Sequence, residues 1–112
     1  MNVMSKYRNR KITIDGITFD SVKEGRRYQE LKLLEKAGYV SDIRLQVPFG
    51  LLPSQKVDGK VVERKVSYVA DFVYLDQDGK QVVEVVKGVK TDVYRLKRKL
   101  MLFIHGIEVQ EY

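Results

Sequence analysis

Ile43, Leu45, Val47, Phe49 and Leu51 recur at every second position, the period of a strand with one buried face. Pro48 within that run lacks the N–H of a central strand, which predicts an edge position or a bulge. A second β run is strongest from Val66 to Leu75, and Asp76-Gln77-Asp78-Gly79 turns it into a strand from Gln81 to Lys87, ended by Gly88. Asp15-Gly16 and Asp58-Gly59 lie between β-forming residues and predict two more hairpins. The period changes to a helical one at Ser21. Ser21 followed by Glu24 fits a capping box, and Ala37-Gly38 fits the helix end. Glu24, Tyr28, Leu31 and Glu35 then fall on one side, with Leu34 alongside, so Glu24 should face the core. Thr91 caps a second helix running to His105-Gly106, with Val93, Leu96, Leu100, Phe103 and Ile104 as its expected core side. Arg95, Arg98 and Lys99 read as its solvated face, Lys97 borders the apolar stripe, and His105 suits the negative end of the helix dipole. Ile107 to Tyr112 reads as a last strand. A helix between the last two strands is a crossover, so they should pair in parallel, in an α/β fold.

Composition narrows the class. With 112 residues, 44% hydrophobic and 32% charged, the chain is expected to form a single domain over residues 1–112, led by a basic arm at 1–10. No stretch approaches the roughly 18 apolar residues of a membrane span, and Met1 to Lys11 has no apolar core of a signal peptide. Cysteine is absent and His105 is the one histidine, which excludes disulfides, thiolate metal sites and a histidine-rich zinc site. A cytoplasmic protein is the expectation. The net charge of +6 favours a polyanionic partner, because cations placed near phosphates release counterions.

The hairpin at Gly79 brings candidate chemistry together. A three-residue loop, Gln77-Asp78-Gly79, pairs Asp76 with Lys80, and counting back sets Asp71 opposite position 85. Strand alternation then puts Asp71, residue 85 and Lys87 on one sheet face. An acid, a second acid and a lysine two residues beyond it suit phosphodiester hydrolysis. The carboxylates hold Mg²⁺, which lowers the pKa of a bound water, and the lysine stabilises developing charge.

The segments Phe19-Asp20-Ser21-Val22-Lys23-Glu24-Gly25-Arg26-Arg27-Tyr28, Leu45-Gln46-Val47-Pro48-Phe49, Tyr68-Val69-Ala70-Asp71-Phe72-Val73-Tyr74 and Val83-Glu84-Val85-Val86-Lys87, continuing to Lys97, occur in order. Together they resemble a small phage-encoded family of unknown function placed in the PD-(D/E)XK nuclease superfamily. The resemblance runs from about Lys6 to Tyr112. It implies a restriction endonuclease-like, helix-first αβββαβ core with a mixed sheet, a fold shared with Holliday junction resolvases, and a Mg²⁺- or Mn²⁺-dependent DNA endonuclease, with structure selectivity as one option. It also implies DNA as partner. A homodimer is a separate expectation from mechanism, since cutting both strands symmetrically needs two sites and this chain has one. Glu24 matches the helical acid, Asp71 the first strand acid, Lys87 the catalytic lysine and Gln46 a polar residue near the site. Glu24 and Asp71 are thus the expected metal ligands, and Arg8, Arg10, Lys90 and Lys97 the expected DNA contacts.

Two positions depart from the pattern. Val85 stands where the family reads aspartate, the second motif acid, and Glu84 should face away from Asp71 unless a bulge re-aims it. An impaired nuclease, or an inactive DNA-binding protein on the same fold, follows from that residue. Gly25 replaces a usual alanine, at roughly 1 kcal/mol inside a helix.

Overall fold

The computed structural model describes residues 10–112. Arg8, one of the expected DNA contacts, lies outside the described residues. The chain divides after Val40 into two compact units.

The first unit is a hairpin and a helix. Strands β1 (Ile12–Ile14) and β2 (Ile17–Phe19) pair antiparallel across Asp15-Gly16. Both turn residues have left-handed φ, 53° and 76°, as a two-residue turn of this kind requires. Helix α1 (Val22–Lys36) starts at Ser21, whose Oγ accepts from the Glu24 N–H at 3.1 Å. Its buried side is Glu24, Gly25, Tyr28 and Leu31; the spacing predicts Glu24, Tyr28 and Leu31, whereas Leu34 and Glu35 are half-buried. Tyr28 packs on Phe19 with ring centroids 5.0 Å apart, and its hydroxyl donates to Asp15 Oδ2. Gly25 has a packing reason. A Cβ there would stand 2.7 Å from Ile12 Cγ2 and 3.1 Å from Ile14 Cδ1, so the hairpin sits closer to α1 than alanine allows.

The second unit holds the main sheet. Strands β3 (Ser41–Leu52), β6 (Val66–Leu75), β7 (Gln81–Val85) and β8 (Gln110–Glu111) lie in the order β3-β6-β7-β8. The first three are antiparallel and β8 joins β7 in parallel, after helix α2 (Asp92–His105). Strands β4 (Gln55–Val57) and β5 (Lys60–Glu63) form a separate two-stranded ribbon at Asp58-Gly59. β3 is an edge strand, which accommodates Pro48. Thr91 Oγ1 accepts from the Tyr94 N–H to cap α2, and Gly106 closes it in the left-handed conformation. This is an α/β architecture with a mixed sheet and two helices. No helix among the described residues is long and apolar enough to cross a membrane.

Three expectations need correction. β7 stops at Val85, not Lys87, because the chain leaves the ladder there and the Val86 N–H bonds the Asp71 side chain instead. β8 is two residues long, not six. The buried side of α2 is Tyr94 and Met101, whereas Val93, Leu96, Phe103 and Ile104 are exposed. Arg98 accordingly points inward of the solvated face, with its guanidinium 3.2 Å from Glu111 and 5.8 Å from the Tyr94 ring centroid. His105 is structural, as expected. Its Nε2 lies 2.7 Å from the Gly50 carbonyl, tying the end of α2 to β3.

Candidate functional site

The site grows from one irregularity shared by β3 and β6. Strict alternation would put Tyr68, Ala70, Phe72 and Tyr74 on one face and Asp71 and Val73 on the other. Instead Tyr68, Ala70 and Val73 join one buried cluster with Val83, Val85, Tyr94 and Met101. β6 therefore changes face at Asp71. In β3, Gln46 falls between the pairs Leu45↔Phe72 and Val47↔Ala70, hence opposite Asp71, and its φ is 52°. Left-handed backbone at a non-glycine strand residue is uncommon and costs on the order of 1–2 kcal/mol. Backbone strain of this kind concentrates at functional sites.

The register of β6 and β7 runs Leu75↔Gln81, Tyr74↔Val82, Val73↔Val83 and Phe72↔Glu84; one further step would set Asp71 opposite Val85, next to the Val86 N–H that its side chain accepts from. Asp71, Val85 and Lys87 line one open cleft of about 300 Å³, together with Ser67, Tyr68, Thr91, Tyr94 and Lys97. Asp71 Oδ2 accepts from the Val86 N–H at 2.8 Å, and Oδ1 accepts from Gln46 Nε2 at 3.2 Å. Lys87 Nζ lies 4.8 Å from the Tyr94 ring centroid, within range of a cation–π attraction. Val85 is 1% exposed. Glu84 faces away, buried, and accepts from the Tyr74 hydroxyl at 2.8 Å, so no bulge turns it toward Asp71.

Tyr94 anchors one wall. Its hydroxyl donates to Glu111, which also pairs with Lys90 at 3.0 Å and Arg98 at 3.2 Å. Burial, then that hydrogen bond, pushes Tyr94 up to about 12. The Tyr94 hydrogen bond first, and Lys90 next, hold the Glu111 carboxyl down at about 2. The Tyr68 hydroxyl is buried without a partner of normal hydrogen-bond geometry among the described residues. Burial, then the neighbouring Tyr94, pushes it well above the usual tyrosine range. Both phenols remain protonated donors at neutral pH.

Of the expected site residues, the cleft gathers Asp71, Lys87 and Lys97, with Gln46 bonded to Asp71 from β3. Lys90 is held by Glu111 instead of lining the cleft. Arg10 is exposed at the edge of the first unit, and Glu24 is buried within α1 of that unit. From the sequence, Tyr68, Tyr94 and Glu111 are assigned no site role, and Thr91 only that of the cap of α2. Tyr94 had a signal, since Tyr94, Lys97, Arg98 and Met101 share helical spacing, but the longer apolar stripe beside it was the stronger one.

The chemistry of the donors tests the implied Mg²⁺. The cleft offers one carboxylate, each of whose oxygens already takes an N–H, and an isopropyl group at position 85. No group of three or more Asp, Glu, His or Cys suited to a metal ion occurs among the described residues. These residues do not fit a Mg²⁺ site, which prefers six hard oxygen ligands in near-octahedral array. What the cleft does present is two ammonium groups and hydroxyl donors, a set suited to an anion.

No curated protein and no solved structure matches the chain. A family model described as "Protein of unknown function (DUF1064)" matches residues 4–108, nearly the whole chain, and the protein belongs to that family.

Proposed function

We propose that this protein binds DNA on a PD-(D/E)XK nuclease framework, as the family resemblance of its motifs implies, with its metal-dependent cleavage impaired at Val85. One observation carries the reading. Asp71, position 85 and Lys87 line one cleft with Lys97 beside them, which supports the motif that the resemblance implies, with valine at the position of its second acid. The resemblance adds Glu24 as a helical acid. In this reading Lys87 and Lys97 engage backbone phosphate, and the net charge of +6 supplies the sequence-independent attraction.

The test joins binding to cleavage. Anisotropy titrations with linear, nicked, flapped and four-way-junction DNA should show binding that weakens steeply with salt. Lys87→Gln and Lys97→Gln should each reduce the slope of log K against log salt by about 1. With Mg²⁺ or Mn²⁺, the native chain should cut none of these substrates efficiently, and Val85→Asp should gain cleavage that Asp71→Asn abolishes. Undetectable binding at low salt sinks the nucleic-acid reading. Unaltered cleavage in Val85→Asp removes position 85 from the motif.

A further inference from the structure

The β4–β5 ribbon contributes nothing to the buried cluster of its unit. Every residue from Leu52 to Lys65 is exposed, and Val57, Val61 and Val62 are more than half so. A two-stranded hairpin alone is marginally stable in water, so three uncovered valines on one are an unmet cost. The ribbon and its base carry Lys56, Lys60, Arg64 and Lys65 against Asp58 and Glu63, a net +2 over residues 53–65. None of these four cations makes an ion pair or side-chain hydrogen bond among the described residues, whereas Lys32, Arg44, Lys90, Arg95 and Arg98 all do.

The register says what kind of partner fits. Lys56 pairs with Val61, and Val57 with Lys60. Paired residues share a face, so each face shows a cation beside a valine, and Val62 lies at the register shift, outside these pairs. Neither face is apolar enough for a hydrophobic protein groove, and both carry positive charge. Lysines along an edge also oppose pairing with a second copy. Paired strands lie about 4.8 Å apart, and the major groove of B-DNA, about 12 Å wide, admits a two-stranded ribbon. Inside a groove the cations meet phosphates on both walls while the valines lie against base edges.

Position along the sheet agrees. The ribbon follows the pair Leu52↔Val66, five residues along β6 from Asp71, or roughly 17 Å at strand spacing. That is about half a turn of B-DNA. A duplex with its backbone at the cleft turns a groove toward the ribbon over that distance.

We infer that the β4–β5 ribbon is a DNA-binding arm that enters a groove of the duplex, separate from the phosphate contacts of the cleft. It rests on the DNA reading, and its test separates the two. The probe is a fluorescein-labelled 30-base-pair duplex of mixed sequence, titrated across a salt series. Lys56→Gln with Lys60→Gln should weaken binding at least 10-fold at low salt and reduce the salt slope by about 2. Replacing residues 53–65 with an Asn-Gly turn, which joins β3 to β6 directly, should do at least as much while preserving the circular dichroism of the sheet. If both ribbon variants match the native chain while Lys97→Gln weakens binding, the arm is refuted and the DNA reading stands. If the native chain binds no duplex, the reading fails and the arm with it. If excision lowers the sedimenting mass and leaves DNA affinity intact, the ribbon pairs copies of the chain and the inference is overturned.

Discussion

Single side chains decide more here than their types announce. Gly25 looks like a helix defect in the sequence, since glycine costs about 1 kcal/mol against alanine there. Yet a Cβ at that position would press on Ile12 Cγ2 at 2.7 Å, and overpacking of that kind costs typically about 1–3 kcal/mol. The second term wins. Gly25→Ala should lower unfolding free energy by about 1 kcal/mol in urea titrations, and in an Ile12→Ala background the same change should become stabilising. Glu111 gives a second prediction at this scale. Its folded pKa lies near 2, below the ordinary 4.5, so the folded state binds its proton less readily than the unfolded state does. Its contribution is complete above about pH 4.5 and is lost as pH falls toward 2. Glu111→Gln should flatten stability against pH across that window and leave the slope above pH 6 unchanged. Glu111 had no signal in the sequence, because the groups that hold it, Lys90, Tyr94 and Arg98, lie on or just before α2, well ahead of it in the chain. Gln46 was legible as a polar strand residue but not as a left-handed one, since no local rule places φ of 52° at a glutamine.

At the scale of elements, local chemistry was readable and sidedness was not always so. Both helix caps, three Asp/Gly-containing hairpin turns and the parallel last strand follow from residues acting on their neighbours. The pairing that sets Asp71 against position 85 followed from the length of a single loop. α2 differs because two apolar stripes compete on it. Val93, Leu96, Phe103 and Ile104 mark the exposed one, and Tyr94, Met101 and the half-buried Leu100 mark the other, which packs against the buried cluster. Periodicity weighs apolar residues and misses a tyrosine held by a carboxylate. The consequence is measurable. Met101, 0% exposed, should cost roughly 2–5 kcal/mol as Met101→Ala, while Phe103→Ala, at an 87% exposed position, should stay within about 0.5 kcal/mol. Reversed magnitudes in urea denaturation would restore the stripe that the sequence suggests. The face change at Asp71 was illegible for another reason. Alternation on each side of it is regular, and only the joint burial of Ala70 and Val73 shows the break.

For the molecule as a whole, binding and stability are linked, and Val85 is where they trade. It is part of the buried cluster and sits in the cleft beside Asp71. An aspartate there loses apolar burial and sets a second carboxylate next to the first, so Val85→Asp without metal should cost on the order of 3 kcal/mol or more. A ligand that binds only the folded state returns stability as RT ln(1 + [L]/Kd), about 2.7 kcal/mol at a hundredfold excess over Kd. Thermal unfolding should then separate the contributions. The native chain should be stabilised by duplex DNA at low salt and be indifferent to millimolar Mg²⁺. Val85→Asp should melt lower in chelator and recover most of the loss in Mg²⁺, because the new carboxylate supplies the oxygen ligand that valine withholds. Val85→Asn is the control. It buries a polar group of the same shape without the charge, so it should melt lower as well and gain little from the metal. Equal recovery in the two variants would mean that Mg²⁺ acts away from position 85, and that the cleft was never a metal site with one ligand missing.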